Sequence, residues 1–438
     1  MTDCTQTKFH FSSVKRQTVE ADFGGGSVTS NGGLILLGEI ERKLNLSGKI
    51  ATILPDHRHP DKVTHTQESM ILQRLMGLCA AHEDLNDHEE LRHDLLLQTI
   101  AGKTDTLASA PTLCRMEARS TKRPMFELQK LLVELFIQKH KTPPEKLVLD
   151  FDATDDPTHG NQEGRFFHGY YKSYCFLPLY VFCGSDPLLA LLRPSNTDGA
   201  KGSLLVLKYL VRRLRQAWGN DLKITFRGDS GFMRKKILRW CEQNQVHYIT
   251  GYSHHQGVKA VTEEFRQKVA QDFEETGQDQ RQFMEFGYRA DKESKFRKII
   301  TKVEYTARGE NARCIVTNLE GEAHELYSKE YCARGDMENR IKEQQLGLFA
   351  DRTSTSKWWS NQLRLLLSTF AYVLMDRLRT DALKGTEWVT KQCTTLQVKL
   401  IKIGAVITRN TRRIRIHLSS SYPHQDIFQT AYQNIMSG

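Results

Sequence analysis

Apolar residues recur at i, i+3, i+4 and i+7 in three runs between Leu34 and about His140: LLGEIERKL, MILQRLMGLCAA and MFELQKLLVELFIQ. That spacing lines one face of an α-helix, so residues 1–140 are expected to form a helical region. Between the last two runs lies SAPTLCRMEARSTKR, where Pro111 suits a first helical turn and Arg115, Arg119, Lys122 and Arg123 follow. A short basic helix in a helical bundle suits helix-turn-helix contact with DNA; an ordinary amphipathic helix has the same pattern. At Lys141-Thr-Pro-Pro the period breaks and β-rich runs follow: LVLDFDAT, then GYYKSYCFLPLYVFCG, then LLALLRPS behind the turn signal Gly184-Ser-Asp-Pro. A helix over about 200–217 precedes the strand and Gly-flanked turn LKITFRGDSGF, the helix KKILRWCEQN and the strand VHYITGY. Three strands followed by alternating helix and strand predict a mixed α/β sheet. Residues 282–318 alternate at period two and read as an inserted antiparallel β unit. Helix returns near Ser328, through YCARGDMENRIKEQQ and then SNQLRLLLSTFAYVLMDRLR. The last run, VKLIKIGAVITRNTRRIRIHL, reads as two strands with Lys399, Lys402, Arg412, Arg413 and Arg415 largely exposed.

These runs divide the chain into a helical N-terminal region (1–140), the first part of an α/β core (141–260), an inserted β unit (261–326), the remainder of the core (327–390) and a basic C-terminal hairpin and tail (391–438). GGGSVTSNGG, residues 24–33, lacks the G-K-[ST] ending and preceding strand of a phosphate loop and reads as a flexible turn.

The 438 residues are 39% hydrophobic and 26% charged, which excludes a disordered or fibrous chain. No run of 18 apolar residues occurs, and MTDCTQTKFHFSSVKR lacks the apolar centre of a signal peptide, so a soluble, intracellular protein is expected. The distribution of charge sharpens this. Residues 352–418 hold 13 Lys and Arg against Asp376, Asp381 and Glu387, an excess equal to the whole net charge of +10. A basic segment of that kind offers counter-charge to phosphates, though a solvated basic face would look the same. The nine Cys, with no C-x-x-C pair, indicate neither a disulfide framework nor a zinc ribbon. Groups such as His82, His88 and His93 read as surface or helix-end histidines.

Three carboxylates stand out by position. Asp152 closes the first strand, Asp229 closes the later strand in FRGDSGF, and Glu338 lies within the helix YCARGDMENRIKEQQ. Parallel strands bring such ends together. Converging carboxylates repel unless a cation joins them, and an oxygen-only set suits Mg²⁺ or Mn²⁺. Two ions roughly 3.5–4 Å apart serve in-line phosphodiester displacement, with Asp152 bridging and Asp229 and Glu338 each holding one. At about 100° per residue, Tyr331, Arg334, Glu338, Lys342 and Gln345 share a stripe, so Arg334 and Lys342 could hold DNA phosphates; a surface salt-bridge ladder has the same spacing.

LDFDATDDPTHG, the Y-Y-x-S-Y-x-F-x-P-L-Y-V-F-x-G run, RGDSGF and the Tyr-x2-Arg-x3-Glu helix together resemble the DDE transposases of bacterial insertion sequences, in the thirteen-eighty family. GLCAAHEDLNDHEELRHD and SAPTLCRME extend the resemblance into the N-terminal half. It implies an RNase H-like core, a β-strand insertion between the second Asp and the Glu, and cut-and-paste transposition of an element with terminal inverted repeats. The catalytic acids then map onto Asp152, with Asp150 as a near alternative, Asp229 and Glu338. Tyr331 and Arg334 match residues that contact the DNA end, whereas position 345 is Gln rather than Lys, leaving Lys342 as a substitute. Arg115, Arg119 and the C-terminal Lys and Arg are the further DNA contacts expected. Some relatives stack a flipped base on an aromatic of the insertion; Tyr288 or Phe286 would serve, and ordinary strand packing explains both. Two Mg²⁺ or Mn²⁺ ions, inverted-repeat and target DNA, a homodimer in a synaptic complex, no membrane, and a nucleoid-associated place in the bacterial cytoplasm complete the expectation. Two other classes stand beside it: a catalytically inactive or repurposed DNA-binding protein, and a metal-dependent nuclease of the same fold.

Overall fold

Buried Leu147, Leu149 and Phe151 alternate along KLVLDFDA, and Ile224 and Phe226 do so along KITFRG, each presenting a row of large side chains to one core. The rings of Phe151 and Phe226 lie 4.8 Å apart across the two strands. Helix Lys122–Lys139 supplies Val133 and Phe136 to this core, and helix Ser203–Trp218 supplies Leu207, Leu210 and Leu214. The computed structural model describes residues 7–289 and 295–437; Cys4 and the expected β segment's residues 290–294 lie outside them.

The sheet has eight strands: Lys146–Ala153 (β1), Leu179–Cys183 (β2), Asp186–Leu191 (β3), Lys223–Gly228 (β4), His247–Tyr252 (β5), Gln280–Tyr288 (β6), Arg297–Thr306 (β7) and Gly309–Thr317 (β8). Their order is β6-β7-β8-β5-β4-β1-β2-β3. The central β1, β4 and β5 run parallel and all other pairings are antiparallel. The strands of the expected insertion therefore extend this sheet, because β8 pairs with β5. Two helices, Gln256–Val261 and Glu263–Thr276, precede them.

The run GYYKSYCFLPLYVFCG is split. Ser173–Phe176 joins a separate three-stranded sheet with Asp156–Pro157 and Phe166–His168, and only Leu179–Cys183 enters the large one. Pro178, without an N–H for a ladder, stands at the division.

By packing, the chain falls into two units: Met1–Pro124 with Leu346–Ala350 and Leu367–Gly438, and Met125–Gln345 with Asp351–Leu366. The second holds the large sheet. In the first, helices such as Leu34–Leu44 and Gln67–Cys79 follow an exposed hairpin, Phe9–Val14 with Gln17–Ala21. A three-stranded sheet pairs Val28–Thr29 with Ala405–Arg409, and that strand with Ile414–Leu418. Of the glycines expected to form a flexible turn, Gly24, Gly25 and Gly26 are exposed but Gly32 and Gly33 are packed: a Cβ on Gly33 would lie 1.8 Å from the Leu400 carbonyl oxygen. Lys399 and Lys402 are not on the hairpin. Cys393–Leu396 and Gln397–Ile401 are helical, because Gln397 bonds the Leu78 and Gly347 carbonyls while Leu400 and Ile401 are buried. His88 is also not at the surface; it is fully buried between Gln73 and Arg74, and burial holds its pKa well below the usual range. The eight cysteines among the described residues form no disulfide, and no described helix is long and apolar enough to cross a membrane.

Candidate active site

In the parallel pair β1 and β4, Asp150 lies opposite Arg227 and Phe151 opposite Gly228, so Asp152 and Asp229 come level at the carboxyl ends. Asp229 caps the single 3₁₀ turn Ser230–Phe232, its Oδ1 accepting the Gly231 N–H at 2.8 Å. Residues two apart share a strand face, yet Asp150 and Asp152 have different partners. Both Asp150 oxygens are taken by Arg227, whose guanidinium also donates to the carbonyls of Glu330 and Ala333. That pair fixes β1 and β4 to the helical segment that follows β8. Arg227 was not among the residues that the sequence singled out; its place beside RGDSGF was the available signal.

Residues 323–347 are irregular. A π turn, Leu326–Tyr331, and a 3₁₀ turn, Cys332–Arg334, precede the α-helix Gly335–Lys342, and a second π turn, Glu343–Gly347, follows. Such insertions shift the stripe that 100° spacing predicts. Arg334 Nη1 lies 2.7 Å from Glu338 Oε1 and 3.9 Å from Asp152 Oδ2, so one guanidinium serves both carboxylates. The Tyr331 ring lies 5.5 Å from that of Tyr327, tilted at 54°, and its hydroxyl lies against Gly251 of β5, where a Cβ would come within 2.9 Å. Lys342 is exposed, and Gln345 donates to the Asp155 carbonyl at 3.0 Å.

Burial pushes the Asp152 carboxyl up to about 7; Arg334 opposes the shift, and the charges of Asp229 and Glu338 add to it. Among the described residues no group of three His, Cys, Asp or Glu side chains stands close enough to hold a metal ion. The chemistry of the donors nevertheless fits one. Asp152, Asp229 and Glu338 are oxygen donors that repel one another, and Arg334 supplies the positive charge among them.

The other expected DNA contacts belong to the first unit. Arg115 is exposed on helix Ala110–Ala118, while Arg119 is tied to Asp56 and Gln67, both at 3.2 Å. Arg412 and Arg413 lie in the hairpin turn, where Asn410 Oδ1 accepts both their N–H groups, and Arg415 is exposed on the following strand. Lys399 and Lys402 are exposed at the preceding helical segment. Tyr288 packs near Tyr252 and His255, and Phe286 against the sheet's core.

The family described as Transposase DDE domain group 1 matches residues 11–437. The chain belongs to that family. Its three named carboxylates thus sit in a transposase of the DDE class. No curated protein matches. Among solved structures, the chain is similar to the piggyBac transposase synaptic complex with hairpin DNA, at 10% identity and a TM-score of 0.44, over 84% of this chain and 77% of that one.

Proposed function

We propose that this transposase moves a bacterial insertion sequence of the thirteen-eighty family by cut-and-paste transposition, cleaving at terminal inverted repeats and joining the freed ends to target DNA. The observation that carries the reading is the meeting of Asp152 and Asp229 at adjacent parallel strand ends, with Glu338 linked to Asp152 through Arg334. In this reading β1, β4 and β5 form an RNase H-like core and the helical N-terminal region binds DNA. A homodimer holds two ends in a synaptic complex at the bacterial nucleoid.

Asp152, Asp229 and Glu338 would hold Mg²⁺ or Mn²⁺, which when bound supplies Lewis-acid activation of phosphodiester oxygens. The chain's own residues do the positioning. The Arg227 pair fixes the strand ends against the helical segment, the cap at Gly231 orients Asp229, and Arg334, released from Glu338, is placed to hold a phosphate oxygen. The Arg334–Glu338 pair also favours a second reading, a DNA-binding protein whose carboxylates are structural.

One experiment separates the two. A labelled duplex carrying the inverted repeat found in DNA flanking the gene is incubated with the protein, with and without Mg²⁺, beside Asp229→Asn, which keeps the capping oxygen. Mg²⁺-dependent cleavage at the repeat boundary, lost to background in the variant while end binding persists, is the expected result. Tight binding by both with cleavage by neither overturns the proposal, and cleavage without joining of a pre-cut end makes the protein a nuclease.

A further inference from the structure

The strands β6, β7 and β8 carry a basic face that the reading above does not use. Arg281 lies opposite Glu304, Phe283 opposite Lys302, and Lys302 opposite Arg313. Period two then puts Arg281, Lys302 and Arg313 on one face with Ile300 and Ile315. The isoleucines bury that face against Leu326 and Tyr327 of the helical segment. Where the apolar row ends, the three cations line a cavity of about 460 Å³, whose other wall includes Tyr331, Arg334 and Glu338.

The charge on this wall is unbalanced. Glu304 is the carboxylate paired with both Lys302, at 2.6 Å, and Arg281, at 2.5 Å. Arg313 donates to Asn311 at 3.3 Å and has no ion-pair partner among the described residues. Lys302 is buried, its Nζ held between Glu304 and the Tyr327 ring, whose centre is 5.5 Å away. Cations carried on paired strands, in excess over their one carboxylate, form a preorganised anion site, and arginine forks match phosphate oxygens.

We propose that this recess binds a backbone phosphodiester of the DNA strand that passes Glu338, with Arg281, Lys302 and Arg313 as phosphate-positioning residues. The proposal rests on the reading that Glu338 faces the DNA being cut. The recess would hold the neighbouring phosphate and so set the register of the scissile one.

The test is fluorescence anisotropy of the labelled inverted-repeat duplex over a KCl series, with wild type, Arg281→Gln/Arg313→Gln, and Arg308→Gln as the control. Arg281 and Arg313 are exposed, so the double variant should keep its fold, checked by circular dichroism. Arg308 lies in the turn between β7 and β8 and is not among the residues lining the recess. The slope of log affinity against log salt should fall by about 2 in the double variant, about 0.9 per lost contact, and stay at the wild-type value in the control. An unchanged slope, or an equal loss with Arg308→Gln, overturns the proposal. Displacement of the duplex by inorganic phosphate at constant ionic strength, lost in the double variant, would make this a site for free anions and also overturn it. Slope loss without Mg²⁺-dependent cleavage by wild type would keep the recess and defeat the cleavage reading; cleavage with an unchanged slope would do the reverse.

Discussion

Asp150 and Asp152 differ in chemistry although one residue separates them. Asp150 is buried and held by both arms of Arg227, so removing its charge leaves a guanidinium buried without a counter-ion. Asp150→Asn should lower stability by about 3–5 kcal/mol, read as a lower urea midpoint. Asp152 has burial working against its charge and titrates at about 7. The unfolded chain releases that proton near pH 4 and the folded chain holds it to about 7, so between these values the folded state binds more protons and stability falls as pH rises. Asp152→Asn should flatten that fall, measured as urea midpoints from pH 4 to 8. A bound cation needs the ionised form, so Mn²⁺ affinity by titration calorimetry should be about tenfold weaker at pH 6 than at pH 8 in the wild type. Sequence alone offered both carboxyls of LDFDAT. The resemblance favoured Asp152, with Asp150 as a near alternative; what gives the two carboxyls different surroundings is an arginine 77 positions from Asp150.

At the scale of elements, strands with a continuous apolar face were legible and local departures from regular geometry were not. KLVLDFDA and KITFRG are strands where their patterns put them, and their parallel pairing brings the two Asp residues level. The helix around Glu338 was legible as a helix, but its two π turns insert residues that no 3.6-residue period announces. Tyr331, Arg334 and Glu338 still line one recess, while Lys342 and Gln345 do not. VKLIKI alternates like a strand, yet it folds as a helical turn whose buried Leu400 and Ile401 lie where Gly33 approaches. Glycine there is a requirement of space. Gly33→Ala, with its Cβ 1.8 Å from a backbone oxygen, should cost at least about 3 kcal/mol. Gly199→Ala, which meets nothing within 4 Å, should stay within about 0.5 kcal/mol, and thermal unfolding of the pair checks both.

At the scale of the whole chain, a linear reading cuts contiguous blocks, whereas the first packed unit is assembled from three separate segments. Gln397 bonding to the Leu78 carbonyl, 319 positions away, is the kind of contact that no composition shift marks. Charge is different, because it adds without regard to contacts, and the excess over 352–418 is plain from the order of residues alone. In the fold, part of that excess is the exposed trio Arg412, Arg413 and Arg415 around a turn pinned by Asn410, where each guanidinium can reach a phosphate at little cost in backbone order. Replacing all three with Gln should lower the slope of log affinity against log salt by up to about 2.7 on the inverted-repeat duplex. The carboxylates proposed as catalytic, Asp152, Asp229 and Glu338, belong to the other unit, and the side-chain charges acting on Asp152 are those of Arg334, Asp229 and Glu338. Cleavage by the triple variant at saturating protein should therefore keep the wild-type rate, and only the concentration needed to reach it should rise. A lower rate at saturation with an unchanged slope would mean that the hairpin acts on the chemistry and not on DNA affinity.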